Sequence, residues 1–184
     1  MLKHLPEELR PVVKFAYITG WRAKSEVLTR EWRHFDMKAG EIRLEPGTTK
    51  NKEGRTFPFT SELRTLIEAQ HAEHERLKKR GKVVPWVFFR VVANGRRGPL
   101  RPKPIKSFNK AFSTACREAG CPGRILHDFR RTAVRNLELA GVPRSVAMKL
   151  TGHLTESVYR RYAIADQRDL RVAVEKLDAR TSAR

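Results

Sequence analysis

A chain of 184 residues suits one domain built on one hydrophobic core. Its 39 Lys and Arg against 20 Asp and Glu leave a formal net charge of +19 and a pI near 10.8, an excess that draws polyanions because each neutralised phosphate releases condensed counterions. No apolar run approaches membrane-spanning length, and the N-terminus lacks the apolar core of a signal peptide, so a soluble, cytoplasmic protein of a reducing compartment is expected.

In chain order, Pro6-Glu-Glu-Leu opens a first helix with acidic residues in its first turn, where they favour the helix dipole. Leu9, Val12, Val13, Ala16 and Tyr17 share one face of it, and Gly20 ends it. A second short helix is predicted from about Lys24, with Val27 and Leu28 facing inward and Trp32 at its end. The period then changes. A strand around His34–Lys38, a turn at Ala39-Gly40, and alternation in Glu41–Glu45 and Arg55–Phe59 predict a small antiparallel sheet near residues 34–59 with a basic hairpin loop.

Residues 61–80 predict a charged helix closed by Gly81. His71 and His74 stand on it at a spacing that could bind metal, but their neighbours Glu68, Glu73, Glu75, Lys78 and Lys79 predict a solvated face, and no metal is expected. Trp86-Val-Phe-Phe reads either as a buried strand or as an extended segment under the next helix. The basic stretch from Asn94 to Pro104 is expected to be poor in regular structure and able to contact phosphates. Phe108, Phe112, Ala115, Cys116 and Ala119 mark a further helix. Cys116 and Cys121, five apart without a second Cys or His pair, fit neither a zinc ribbon nor a redox CxxC. From Leu126 onward the chain reads as all helical, broken at Gly141-Val-Pro143 and at Gly152. The final Thr181–Arg184 is expected to be a frayed tail. The fold class is therefore α+β and mainly helical.

Charge names a partner class without an activity, since ribosomal and RNA-binding proteins share it. The activity lies in a dispersed set of residues: Thr19-Gly20-Trp21-Arg22, the loop Thr49-Lys50-Asn51-Lys52, His127 and Arg130 three apart, Gly152-His153, and Arg160-Arg161-Tyr162. Phosphoryl transfer on a nucleic-acid backbone needs a nucleophile, charge stabilisation on the non-bridging oxygens, and a proton for the leaving oxygen. A tyrosine oxygen can supply the first. Arginine's planar fork grips phosphate oxygens in a way lysine cannot.

In this order and spacing the motifs resemble the tyrosine recombinases of the phage-integrase type, over nearly the whole chain. The resemblance implies their catalytic-domain fold, over residues 1–180 as a single domain. It makes Arg22 the first catalytic arginine, Lys50 the lysine of the β-hairpin, His127 and Arg130 the HxxR box, His153 the second histidine, and Tyr162 the nucleophile. Lys52 competes with Lys50 in the same loop, and Tyr159 with Tyr162, but placement within the motifs favours Lys50 and Tyr162. Lys52, Arg131, Arg160 and Arg161 are expected to contact DNA without taking part in the chemistry.

The resemblance further implies a 3′-phosphotyrosyl intermediate, no cofactor, metal or ATP, double-stranded DNA as substrate, and a tetramer formed on DNA from a chain that associates weakly or not at all without it. The acidic residue that in this family commonly follows the first arginine by three stands here four residues on, as Glu26. An N-terminal core-binding domain, usual in the family, is expected to be missing, so the chain reads as a fragment or a shortened natural protein. Leu170, Val174 and Leu177 line one side of the last helix, which packs either on its own domain or on a neighbouring subunit. Two other readings are a type IB topoisomerase, which uses similar residues only to relax supercoils, and a non-catalytic nucleic-acid-binding module.

Overall fold

The computed structural model describes residues 1–47, 53–94, 96, 98–162 and 167–182. Two short 3₁₀ turns, Leu2–His4 and Glu7–Leu9, lead into α1 (Arg10–Thr19), so the acidic first turn is 3₁₀ and the α-helix proper begins one turn later. The second predicted helix is instead a five-residue π-turn, Ala23–Val27, and Trp32 opens a separate 3₁₀ turn, Trp32–His34. Val27 and Leu28 are buried as expected.

Strands β1 (Phe35–Asp36), β2 (Glu41–Leu44) and β3 (Arg55–Pro58) form the predicted antiparallel sheet in the order β1-β2-β3. Ile42 faces both Phe35 and Phe57 across it, so the apolar residues of all three strands share the buried face. Helix α2 (Ser61–Lys79) follows, its first turn capped by Thr60 Oγ1 accepting from the Leu63 N–H at 3.1 Å. The solvated face expected for its histidines is only partly so. The His71 and His74 rings pack against Trp32 with centroids 5.1 and 5.2 Å away, and the His74 side chain is 14 % exposed.

The stretch expected to be irregular holds a second hairpin, β4 (Phe89–Ala93) with β5 (Leu100–Pro104). Pro102 and Pro104 hid it. The Asn94 N–H donates to Pro99 O at 3.1 Å, and antiparallel alternation then places both prolines at positions whose missing N–H costs no ladder bond. Trp86 makes an isolated antiparallel bridge with Glu31, Val87 and Phe88 form a bend, and strand begins at Phe89, so the stretch is neither one buried strand nor one extended segment.

Helices α3 (Asn109–Glu118), α4 (Asp128–Leu139), α5 (Arg144–Thr151), α6 (Glu156–Arg160) and α7 (Gln167–Ser182) complete the chain, and helix continues through the first two residues of the expected tail. One core joins α1, the three-stranded sheet, α2 and α3 around Phe15, Trp21, Phe57 and Phe88, whose rings meet edge to face at 5.3–6.2 Å. A smaller satellite of Val134, Ala147 and Tyr159 binds α4, α5 and α6 together, a second cluster that the single-core expectation lacked. Among the described residues no helix is long and apolar enough to cross a membrane.

Candidate active site

Each residue of Thr19-Gly20-Trp21-Arg22 has a separate task at the end of α1. Thr19 Oγ1 donates to Phe15 O at 2.8 Å and accepts from the Trp21 N–H at 3.2 Å, closing the helix. Gly20 adopts the left-handed conformation at φ 66°, and a Cβ there would lie 2.7 Å from that of Ala133, so only glycine lets α1 meet α4. Trp21 is buried and donates from Nε1 to Leu150 O at 3.1 Å, anchoring α5. Arg22 then emerges toward the site with its side chain 26 % exposed.

The π-turn that follows holds i→i+5 bonds from the Val27 N–H to Arg22 O (3.1 Å) and from the Leu28 N–H to Ala23 O (2.9 Å). It folds Glu26 back so that Oε1 meets Arg22 Nη1 at 2.6 Å and Oε2 accepts from the Arg22 backbone N–H at 2.8 Å. The same Oε2 accepts from Arg55 Nη2 at 2.6 Å. Burial alone would raise the Glu26 carboxyl, but Arg55 and then the Arg22 donors outweigh it and hold it below the usual carboxylate range. Nε and Nη2 of Arg22 make no other hydrogen bond among the described residues, so they remain free for a ligand.

Arg130 sits in the first turn of α4 and is 2 % exposed. Its Nε donates to His153 Nε2 (3.2 Å), Nη1 to Gly20 O (3.0 Å) and Nη2 to Gly152 O (3.3 Å). A guanidinium carries five N–H groups, so one on each Nη is left over. Burial, and next the charge of Arg22, push its pKa down to about 10, which leaves it a full cation at neutral pH.

His153 is held on both nitrogens. Because Nε2 accepts from Arg130, the proton lies on Nδ1, which meets Thr151 Oγ1 at 2.8 Å, and Thr151 in turn donates to Ala147 O at 2.7 Å. Burial first and then Arg130 push its pKa down to about 3. The unfolded chain therefore takes up a proton that the folded one refuses, and stability is fully present above about pH 6.5 and drains away toward pH 3. The expected slope is at most about 1.4 kcal/mol per pH unit. Urea midpoints measured from pH 7 to 5 should fall more steeply for the wild type than for His153→Asn, and equal slopes would contradict this burial of a neutral imidazole.

Tyr162 stands one turn beyond α6, its N–H bonded to Tyr159 O at 2.9 Å. Its hydroxyl lies 2.8 Å from His127 Nε2, and its ring lies between the two imidazoles, 5.6 Å from His127 and 5.0 Å from His153. Burial, and then the charges of Arg130, Arg22 and Arg131, lower the pKa of His127, so its imidazole is neutral and free to accept the tyrosine proton. Tyr159, the rival, is fully buried in the satellite cluster, and burial pushes its phenol far up.

Among the predicted site residues, Arg22, His127, Arg130, His153 and Tyr162 thus come together from four separate segments. Lys50 and Lys52 lie outside the described residues. Arg131, Arg160 and Arg161 are exposed around the site, Arg131 facing Asp128 at 3.5 Å and Arg160 facing Glu156 at 3.1 Å. Among the described residues, a group able to hold a metal is His71, His74 and Glu75, with ligand atoms within 4.8 Å of one another, and none of these belongs to the tyrosine cluster.

The model of the phage integrase family matches residues 2–168. The chain belongs to the phage integrase family. Its fold is similar to that of the XerA recombinase, with a TM-score of 0.66 at 15 % identity over 94 % of this chain and 64 % of that one. It is likewise similar to the Tn1549 transposon integrase in complex with a circular intermediate DNA (TM-score 0.65, 16 % identity, 93 % and 59 %). A lambda integrase dimer bound to a core site matches with a TM-score of 0.60 at 18 % identity, over 86 % of this chain and 43 % of that one. The chain therefore spans less than two thirds of these proteins' length. No curated protein matches it in sequence.

Within the integrase family the displaced acidic residue now has a physical account. The extra residue between Arg22 and Glu26 is absorbed by the π-turn, and the carboxylate still reaches the arginine. Arg55 is the residue that sequence reading missed. Its side chain is 8 % exposed, its guanidinium lies over the Trp21 ring at 5.0 Å, and it fills the space that a Cβ on Gly152 would need. A signal was present: alternation in β3 puts Arg55 on the same face as buried Phe57.

Proposed function

We propose that this integrase-family domain cuts and rejoins double-stranded DNA, with Tyr162 as nucleophile. The single observation that carries the reading is the Tyr162 hydroxyl 2.8 Å from His127 Nε2, beside Arg22 and Arg130 with guanidinium N–H groups to spare. Tyr162 Oη attacks the phosphorus and the bond to the 5′ oxygen breaks. The tyrosine proton passes to His127, and the departing 5′ oxygen takes one, with Lys50 as its donor. Arg22 and Arg130 hold the non-bridging oxygens, each such donor typically contributing about 3 kcal/mol in the transition state. His153, engaged on both nitrogens, is a positioning residue for Arg130.

The product is a 3′-phosphotyrosyl link with a free 5′-hydroxyl, and attack by another 5′-hydroxyl restores the backbone. One phosphodiester is exchanged for another at each step, so neither ATP nor a metal is needed to balance the reaction. Arg131, Arg160 and Arg161 contact the flanking backbone, and the domain works in the cytoplasm. The Tn1549 integrase with its DNA and the lambda integrase dimer on its core site support DNA as the partner. Incubation with nicked duplexes in EDTA without ATP should leave protein on the 3′ side and a 5′-hydroxyl on the other. A requirement for either additive would sink this chemistry.

On DNA we expect a multimer, a tetramer by the family resemblance. Leu170, Val174 and Leu177, one face of α7, are 62, 57 and 63 % exposed, so of the two readings of this helix they favour docking on a second copy. Changing all three to Ser should leave the monomer's fold and melting point intact while abolishing the DNA-bound multimer in sedimentation. Unchanged assembly would rule the helix out as the dock.

A further inference from the structure

The register of the β4–β5 ribbon sets Arg90 directly opposite Lys103, and Val92 opposite Arg101. Cross-strand partners share a face, so three exposed cations form one row. None makes an ion pair or hydrogen bond with any described residue. Like charges set directly opposite destabilise a strand pair, and nothing among the described residues offsets this row. Lys on an exposed edge also guards against stray strand pairing, which is the plainer explanation to be tested.

The foot of the ribbon ties this row to the active site. A cleft of about 430 Å³ is lined on one side by Lys24 and Thr29, in and just beyond the π-turn that carries Arg22. On the other side lie Pro104 and Lys106, where β5 ends. The backbone bonds from the Trp32 N–H to Pro85 O and from the Val87 N–H to Arg30 O, both 3.0 Å, fasten the segment entering β4 to the segment leaving the π-turn. Lys24 and Lys106 are exposed and likewise unpaired among the described residues, so cations run from Arg22 through Lys24 and Lys106 to the ribbon.

We propose that the β4–β5 ribbon is a phosphate track, on which Arg90, Arg101 and Lys103 grip the DNA backbone beyond the phosphate held by Arg22. This rests on the DNA-cleaving reading above and extends it to a second contact region. The track is sequence-independent, because backbone phosphates position a duplex without reading it.

The test is the salt dependence of duplex binding by wild type and by Arg90→Gln/Arg101→Gln/Lys103→Gln, followed by fluorescence anisotropy. Each lost phosphate contact lowers the slope of log K against log salt by about 0.9, so the triple variant should be shallower by roughly 2 to 3. The single variant Arg101→Gln should show about one third of that, and provides the reading if the triple variant melts early. Lys78→Gln/Lys79→Gln on α2 is the matched control and should leave the slope where it was. An unchanged slope in the triple variant would overturn the proposal and leave edge protection. So would an equal drop in the control. Adduct formation by the wild type on a nicked duplex is scored in parallel, so failure of the cleavage reading is separable from failure of the track.

Discussion

Tyr162→Phe is expected to lower strand cleavage to background, a loss of roughly 10⁴-fold or more, as when other covalent catalysts lose their nucleophile. Duplex affinity should be nearly unchanged, because the ring remains between His127 and His153 and only the oxygen is gone. Tyr159→Phe is the informative partner. The Tyr159 hydroxyl is buried near the Glu138 carboxylate without a well-formed hydrogen bond, so its removal should cost little stability and no activity. The pair of variants read together in a cleavage gel separates a tyrosine that reacts from one that packs. Activity in Tyr162→Phe with none in Tyr159→Phe would reverse the assignment.

Glu26→Gln should be the most damaging change outside the reacting atoms. The carboxylate is fully buried and shared between Arg22 and Arg55, and Arg55 is itself 8 % exposed. Removing its charge leaves Arg55 without a counter-ion in a place water barely reaches, which costs about 3–5 kcal/mol. In a chain of this size that corresponds to a melting point lower by roughly 6–20 °C. Arg22 also loses its counter-charge and one of its two bonds to residue 26, since the amide keeps a single acceptor oxygen, so cleavage should fall further than stability alone explains. The double variant Glu26→Gln/Arg55→Gln should regain part of the lost stability, since the stranded cation is gone with the carboxylate. A double variant as damaged as the sum of the two singles would mean that the pair is not coupled as the distances imply.

The residues that the proposed chemistry uses could be picked out from the sequence because such chemistry constrains type, order and spacing at once. Thr19-Gly20-Trp21-Arg22 was readable as a helix end, and the Ile42 and Phe57 faces were readable from alternation. What stayed hidden depends on contacts between distant segments. A π-turn differs from an α-turn by one residue of register, and only the fold shows that Glu26 still meets Arg22. Arg55 looked like any strand arginine until β3 was packed against Trp21 and Gly152. The division of labour between the histidines was also closed to sequence. It follows from Arg130 occupying His153 Nε2 and leaving His127 to face the tyrosine. The second hairpin was obscured by Pro102 and Pro104, which deter a strand reading unless both fall at positions free of ladder bonds.

The site of the covalent adduct decides whether Tyr162 is the nucleophile. The purified chain is trapped on a nicked duplex, digested, and the nucleotide-bearing peptide sequenced by mass spectrometry. A nucleotide is expected on Tyr162, in the peptide that follows Arg161. A nucleotide on Tyr159 or any other residue would contradict that assignment, however well the domain binds DNA.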